Sequence, residues 1–153
     1  MTPERDAVSC CQYAVAIDPA VYSADQAGSL LDVRGARAAT IILAIGAGGI
    51  TFTGTNKIEF VLQHGNASDG SDLANVTDDD ILNIDSVAPA SVTTTGIVRA
   101  LAAAHAAADV QKIGYIGGKA YLKLTADFSG THGVGTPLSA VVELEDLEIQ
   151  RVA

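Results

Sequence analysis

Three histidines, two cysteines and one run of aspartates are the residues of this chain that could do chemistry. His64, His105 and His132 are widely separated, and none has the spacing to a second ligand that typifies a metal centre. His64 and His132 are expected in loops and His105 in an alanine tract. A serine–histidine–aspartate set stays open at the level of sequence, but no G-x-S-x-G elbow supports it. Asp69 to Asp80 gathers carboxylates of the kind that suit calcium, yet it lacks the alternating ligands and closing glutamate of an EF-hand. A solvated acidic loop is the expectation there. Cys10 and Cys11 are adjacent rather than C-x-x-C. A bridge between neighbours is strained and closes no useful loop, so two thiols of a reducing cytoplasm are expected. Gly46-Ala47-Gly48-Gly49-Ile50-Thr51 misses the third glycine of the dinucleotide fingerprint and leads into a strand, which makes these turn glycines. These residues predict no enzyme, with no catalytic, metal-binding or cofactor-binding residues.

Composition narrows the remaining classes. The chain has 153 residues, 48% of them hydrophobic, which is enough for one domain with an aliphatic core. Nine Lys and Arg against eighteen Asp and Glu give a net charge of −9. No Lys or Arg occurs from Ile58 to Val98. Such a chain repels phosphate backbones, so no nucleic-acid partner is expected. Four Tyr, three Phe and no Trp are thin material for stacking sugars. No apolar run reaches the roughly 20 residues needed to span a bilayer, so no membrane partner is expected either. The opening MTPERDAV carries acids and no apolar segment, which reads as a loose terminus over residues 1–8 and not as a signal peptide. A soluble, non-exported chain is the expectation.

The elements that would position these residues are strands. Ala120, Leu122, Leu124, Ala126 and Phe128 alternate with Tyr121, Lys123, Thr125 and Asp127, and Leu138, Ala140, Val142 and Leu144 repeat the pattern after SGTHGVGTP. Side chains of a strand alternate between faces, so these are two neighbouring strands with one apolar face, joined by a loop. This register puts Leu122 and Leu124 inside, with Tyr121 and Lys123 outside. In KIEFVLQ, residues 57–63, Ile58, Phe60 and Leu62 point inward. Cys10 to Ile17 is a first strand ended by Asp18-Pro19, followed by a loop over Ala20 to Gly28 and a short strand at Ser29 to Val33. Ala39 to Ile45 is apolar on both faces, as in a central covered strand or one that meets a partner. Ile97 to Leu101 and Gln111 to Ile116 are further strands, with a short helix or turn between them at Ala102 to Ala108, where alanine favours helix. Eight or so short strands in one domain over residues 9–153 predict an all-β antiparallel sandwich, jelly-roll-like, with one short alanine-rich helix or turn.

Three stretches carry a resemblance: LLDVRGARAATIILAIG, FTGTNKIEFVLQHG and IGYIGGKAYLKLTADFSGTHGVGTPLSAVV. Together they span Leu30 to Val142 and resemble a family of small proteins encoded among the virion structural genes of tailed bacteriophages and prophages. The chain departs from that pattern in its acidic end, ELEDLEIQ. The resemblance implies a β-sandwich virion protein, foremost a head decoration or cement protein on the outer capsid surface. It implies the major capsid protein and further copies of the chain itself as partners, and no catalytic residues. A tail or connector component of the same particle, and a ligand-binding sandwich module using the acidic loop for calcium, are the alternatives.

Overall fold

The computed structural model describes residues 11–47, 49–82, 88–104 and 107–145. The expected loose terminus, Cys10, His105 and the residues after Glu145 lie outside them. The described residues open with four strands: β1 (Cys11–Tyr22), β2 (Gln26–Asp32), β3 (Ala38–Ile45) and β4 (Lys57–Gly65), the last where apolar and polar residues alternate. Two-residue strands β5 (Ala74–Asn75) and β6 (Ile81–Leu82) follow, with one helix, α1 (Pro89–Thr95). The chain continues as β7 (Ile97–Leu101), β8 (Asp109–Tyr115), β9 (Tyr121–Ser129) and β10 (Thr136–Glu145).

All pairings are antiparallel. One sheet runs β1-β10-β3-β8-β6, and the other runs β2-β9-β4 with β5 and β7 sharing the far side of β4. Each of the first three connections carries the chain from one sheet to the other, and so do those from β7 through β10. Two four-stranded faces, β1-β10-β3-β8 and β2-β9-β4-β7, therefore wind as a jelly roll. The fold is an all-β sandwich. Its core forms where the inward faces meet: Ile41 and Leu43 of β3, Phe60 of β4, Leu122 of β9 and Ala140 of β10 are all essentially inaccessible. The strands β9 and β10 predicted around the 130–135 loop do not pair with each other. They occupy the middle of opposite sheets, so the loop spans the sandwich.

Four local expectations are corrected. The first strand does not end at Asp18-Pro19, and Ala20 to Gly28 is not a loop. β1 runs on to Tyr22 and β2 begins at Gln26. Pro19 is tolerated because β1 is an edge strand, where a missing N–H costs no ladder bond, and its pairing with β10 shifts register between Ile17 and Ala20. The helix is not in the alanine tract, whose described residues 102–104, 107 and 108 form no helix. That tract has no apolar stripe to set against a polar one, so nothing anchors a helix there. α1 instead forms in PASVTTT, a poor helix sequence by propensity, because its ends are fixed. A proline opens it, Val92 is buried beneath it, and Gly96 closes it at φ 70°, donating its N–H to the Val92 carbonyl at 2.7 Å. Tyr121 points outward as its register requires, yet it is 8% exposed, because the Arg34 guanidinium lies 5.3 Å over its ring. Finally, His64 belongs to the end of β4 and is buried.

Candidate functional site

The histidines are packed into the sandwich. His64 Nδ1 is 3.0 Å from the Tyr115 hydroxyl, and the two rings meet edge to face at 5.9 Å. Its Nε2 is 3.9 Å from Asp80 Oδ2. That oxygen already accepts hydrogen bonds from the N–H and hydroxyl of Thr77, both at 2.8 Å. The Tyr115 hydroxyl accepts the Lys119 N–H at 3.2 Å. An aspartate, a histidine and a phenol in line could relay a proton, but burial pushes the Tyr115 phenol up, away from the phenolate a nucleophile needs. The line braces β4, β8 and the 3₁₀ turn Asp78–Asp80 against one another. His132, also buried, donates Nε2–H to the Ser129 carbonyl at 2.9 Å and sits edge to face on Phe128 at 4.8 Å. It meets a backbone carbonyl, not a serine hydroxyl.

Burial is the largest cause acting on His64. It holds the imidazole below its ordinary range, and Lys119 adds to this while Asp80 opposes it. The folded state therefore disfavours the imidazolium, which the unfolded chain accepts from about pH 6.5 downward. Stability should be complete above that pH and decline as pH falls toward the lowered folded value. The carboxylates act later: Asp72 and Asp80 are held below the usual carboxylate range, so their contribution is lost only under about pH 3.8. His64→Gln should flatten the decline between about pH 6.5 and 5, read as urea midpoints across that range. An unchanged slope in the variant would assign the decline to other groups.

The acidic segment is built, not merely solvated. Asp72 accepts the N–H groups of Asn66 and Ala67 at 2.8–3.1 Å, and Asp69 accepts that of Ser71 at 3.0 Å. The backbone N–H of Asn66 and Ala67 is the leading influence holding the Asp72 carboxyl down. Asp78 pairs with the Thr93 hydroxyl of α1. These carboxylates are turned to their own backbone and neighbours, and among the described residues no three His, Cys, Asp or Glu converge as a metal cage. Of the glycine cluster, Gly46 and Gly49 donate to the carbonyls of Pro137 and Gly135 at 2.7 and 3.1 Å, joining this turn to the start of β10.

The feature that stands out is a surface. The two sheets differ on their outer faces. On the β4 side Lys57 pairs with Glu59 at 2.7 Å, and Lys123 and Gln63 face one another. On the other sheet, a row across the strands reads Val15, Val141, Ile42 and Lys112, and the next toward the far end reads Ser139, Ala44 and Val110. Among the described residues seven large apolar side chains are exposed, and five of them, Tyr13, Val15, Val21, Leu82 and Val110, belong to this one sheet. At its corner Val21, Ala44, Val110 and Pro137 help line a shallow hollow of about 460 Å³. The two-sided apolar character of Ala39 to Ile45 has this origin. Ile41, Leu43 and Ile45 fill the core, while Ile42 and Ala44 belong to the outer face.

No protein-family model matches this chain, and no curated protein matches it in sequence.

Proposed function

We propose that this protein is a virion structural protein of a tailed bacteriophage: a decoration or cement protein seated, as a homo-oligomer, on the outer surface of the assembled head. The single observation that carries this reading is the aliphatic patch of Val15, Val141, Ile42, Ala44 and Val110 on the outer face of the β1-β10-β3-β8 sheet. A lone sandwich has no use for such a face, since its core already covers the other side of the same strands. The jelly roll is a fold shared by many capsid components, an analogy of fold that supports the reading without deciding it. The resemblance across Leu30 to Val142 points the same way. A charge of −9 suits the outside of a shell better than an interior filled with DNA. The partners are the major capsid protein and other copies of this chain. Bridging several coat subunits sums weak contacts into avidity that a free coat subunit cannot offer.

The test adds purified protein to heads that lack it and measures co-sedimentation and heat-induced DNA release. Binding should occur on assembled heads and hardly at all on free coat subunits, and it should raise the release temperature by mass action. Val15→Asp with Val110→Asp should leave the fold intact, because both side chains are exposed, and weaken head association by roughly tenfold or more. A protein that stays monomeric, fails to co-sediment and leaves DNA release unchanged would overturn the proposal. Binding to tails but not to heads would place it elsewhere in the particle.

A further inference from the structure

We infer that the cleft between the β2–β3 turn and the β8–β9 loop is a binding site for the carboxylates of an acidic polypeptide segment. The cleft lies at one end of the sandwich, holds about 370 Å³, and is lined by Arg34, Arg37, Asn66, Tyr115, Ile116 and Lys119 among others. Charge is segregated there. Three of the nine Lys and Arg of the chain line it, and none of the eighteen Asp and Glu is among the described residues that do.

The donors are held in place before any ligand arrives. Arg34 is fixed by Asp32, through Nε at 2.9 Å and Nη2 at 2.5 Å, and by its stack on Tyr121, which leaves Nη1 for a ligand. Lys119 sits on a loop pinned by its own N–H to the Tyr115 hydroxyl, itself held by His64. The two walls are joined by the Val33 N–H donating to the Ala120 carbonyl at 3.0 Å. Asn66 accepts the Ala120 N–H through Oδ1 at 3.3 Å, so its carboxamide NH₂ remains a donor. Asp72 and Asp80, two carboxylates that feel the Lys119 charge, accept hydrogen bonds from the N–H groups of Asn66 and Ala67 and from Thr77.

Size and lining choose the ligand. A volume of about 370 Å³ is at the small end of ligand pockets, room for a side chain or two and no more. Val33, Ala36 and Ile116 offer aliphatic wall to the CH₂ stem of a glutamate, while guanidinium and ammonium meet its carboxylate. A phosphate has no such stem to set against this aliphatic wall. The site does not rest on the decoration reading.

The experiment maps backbone amide shifts during titration with a blocked tri-glutamate peptide, with inorganic phosphate and a blocked tri-lysine peptide in parallel. Saturable shifts confined to residues 34–37 and 117–120 are expected for tri-glutamate, weakening as salt is raised. Lys119→Ala should reduce the affinity roughly five- to tenfold with the melting temperature unchanged, since an exposed charge contributes little to the fold. Phosphate binding as tight as the peptide, shifts scattered over the surface, or a Lys119→Ala variant that binds equally well would each overturn the assignment. Failure of the protein to coat heads would defeat the decoration reading and leave this titration to decide the cleft on its own.

Discussion

Leu122→Asp is expected to unfold the protein, while Lys123→Asp, one residue along the same strand, leaves its melting temperature nearly unchanged. Leu122 is 1% exposed, near the start of β9, which runs between β2 and β4, opposite Leu31 and His64. A carboxylate placed there lies in the apolar core, with the burial-depressed, neutral His64 imidazole as its polar neighbour, which costs several kcal/mol even after the group neutralises itself by taking up a proton. Against a total stability of about 5–15 kcal/mol for a domain of this kind, with the lost leucine packing added, little remains. Lys123 stands on the opposite face beside Gln63 and Leu30, partly open to solvent. Replacement there should stay within about 0.5 kcal/mol. Thermal melts of the two variants, followed by circular dichroism, make the comparison. Equal melting temperatures would mean that β9 is out of register by one residue, since a slip of one exchanges its two faces.

Gly28→Ala is expected to be strongly destabilising. A Cβ on Gly28 would lie 2.3 Å from the Leu124 carbonyl oxygen and 2.5 Å from that of Ala16. Both obstacles are backbone, one in each sheet, so neither can swing aside as a side-chain end would. Here β2, of one sheet, passes close beneath β1, of the other, and its pairing with β9 shifts register between Ala27 and Leu30. The corner closes only because this residue has no side chain. Overpacking usually costs about 1–3 kcal/mol, and a double clash with backbone belongs at or beyond the top of that range. The corresponding fall in melting temperature is roughly 6–12 °C or more. Gly54→Ala is the control, since a Cβ there meets nothing within 4 Å. It should be neutral or slightly stabilising, by about 0.4–1 kcal/mol at most. Similar melts for the two alanine variants would mean that the corner is open enough to absorb a methyl.

What the sequence determined by itself is the set of faces. Period-two alternation at Ile58 to Leu62, at Leu122 to Phe128 and at Leu138 to Leu144 names the core side of β4, β9 and β10 without any tertiary information. Inward and outward are local properties of a pleated chain. The surplus apolar surface of Ala39 to Ile45 was legible for the same reason, and so was the all-β class. Which strands pair was not. β10 finds β1 and β3 at long range, and alternation is the same whichever neighbour a strand chooses. Elements set by their ends or their edge position also escaped the pattern. α1 depends on Pro89, Val92 and Gly96 rather than on propensity, and β1 crosses Pro19 because, among the described residues, no strand lies beyond it. The cleft was out of reach for a third reason. Arg34 and Lys119 belong to turns distant in sequence, and only the jelly-roll winding, which sets the β2–β3 turn beside the β8–β9 loop, turns two scattered cations into one site. Burial decided the histidines likewise: the residue that gives His64 its environment is Tyr115, and their meeting is made by the packing of β4 on β8 across the sandwich.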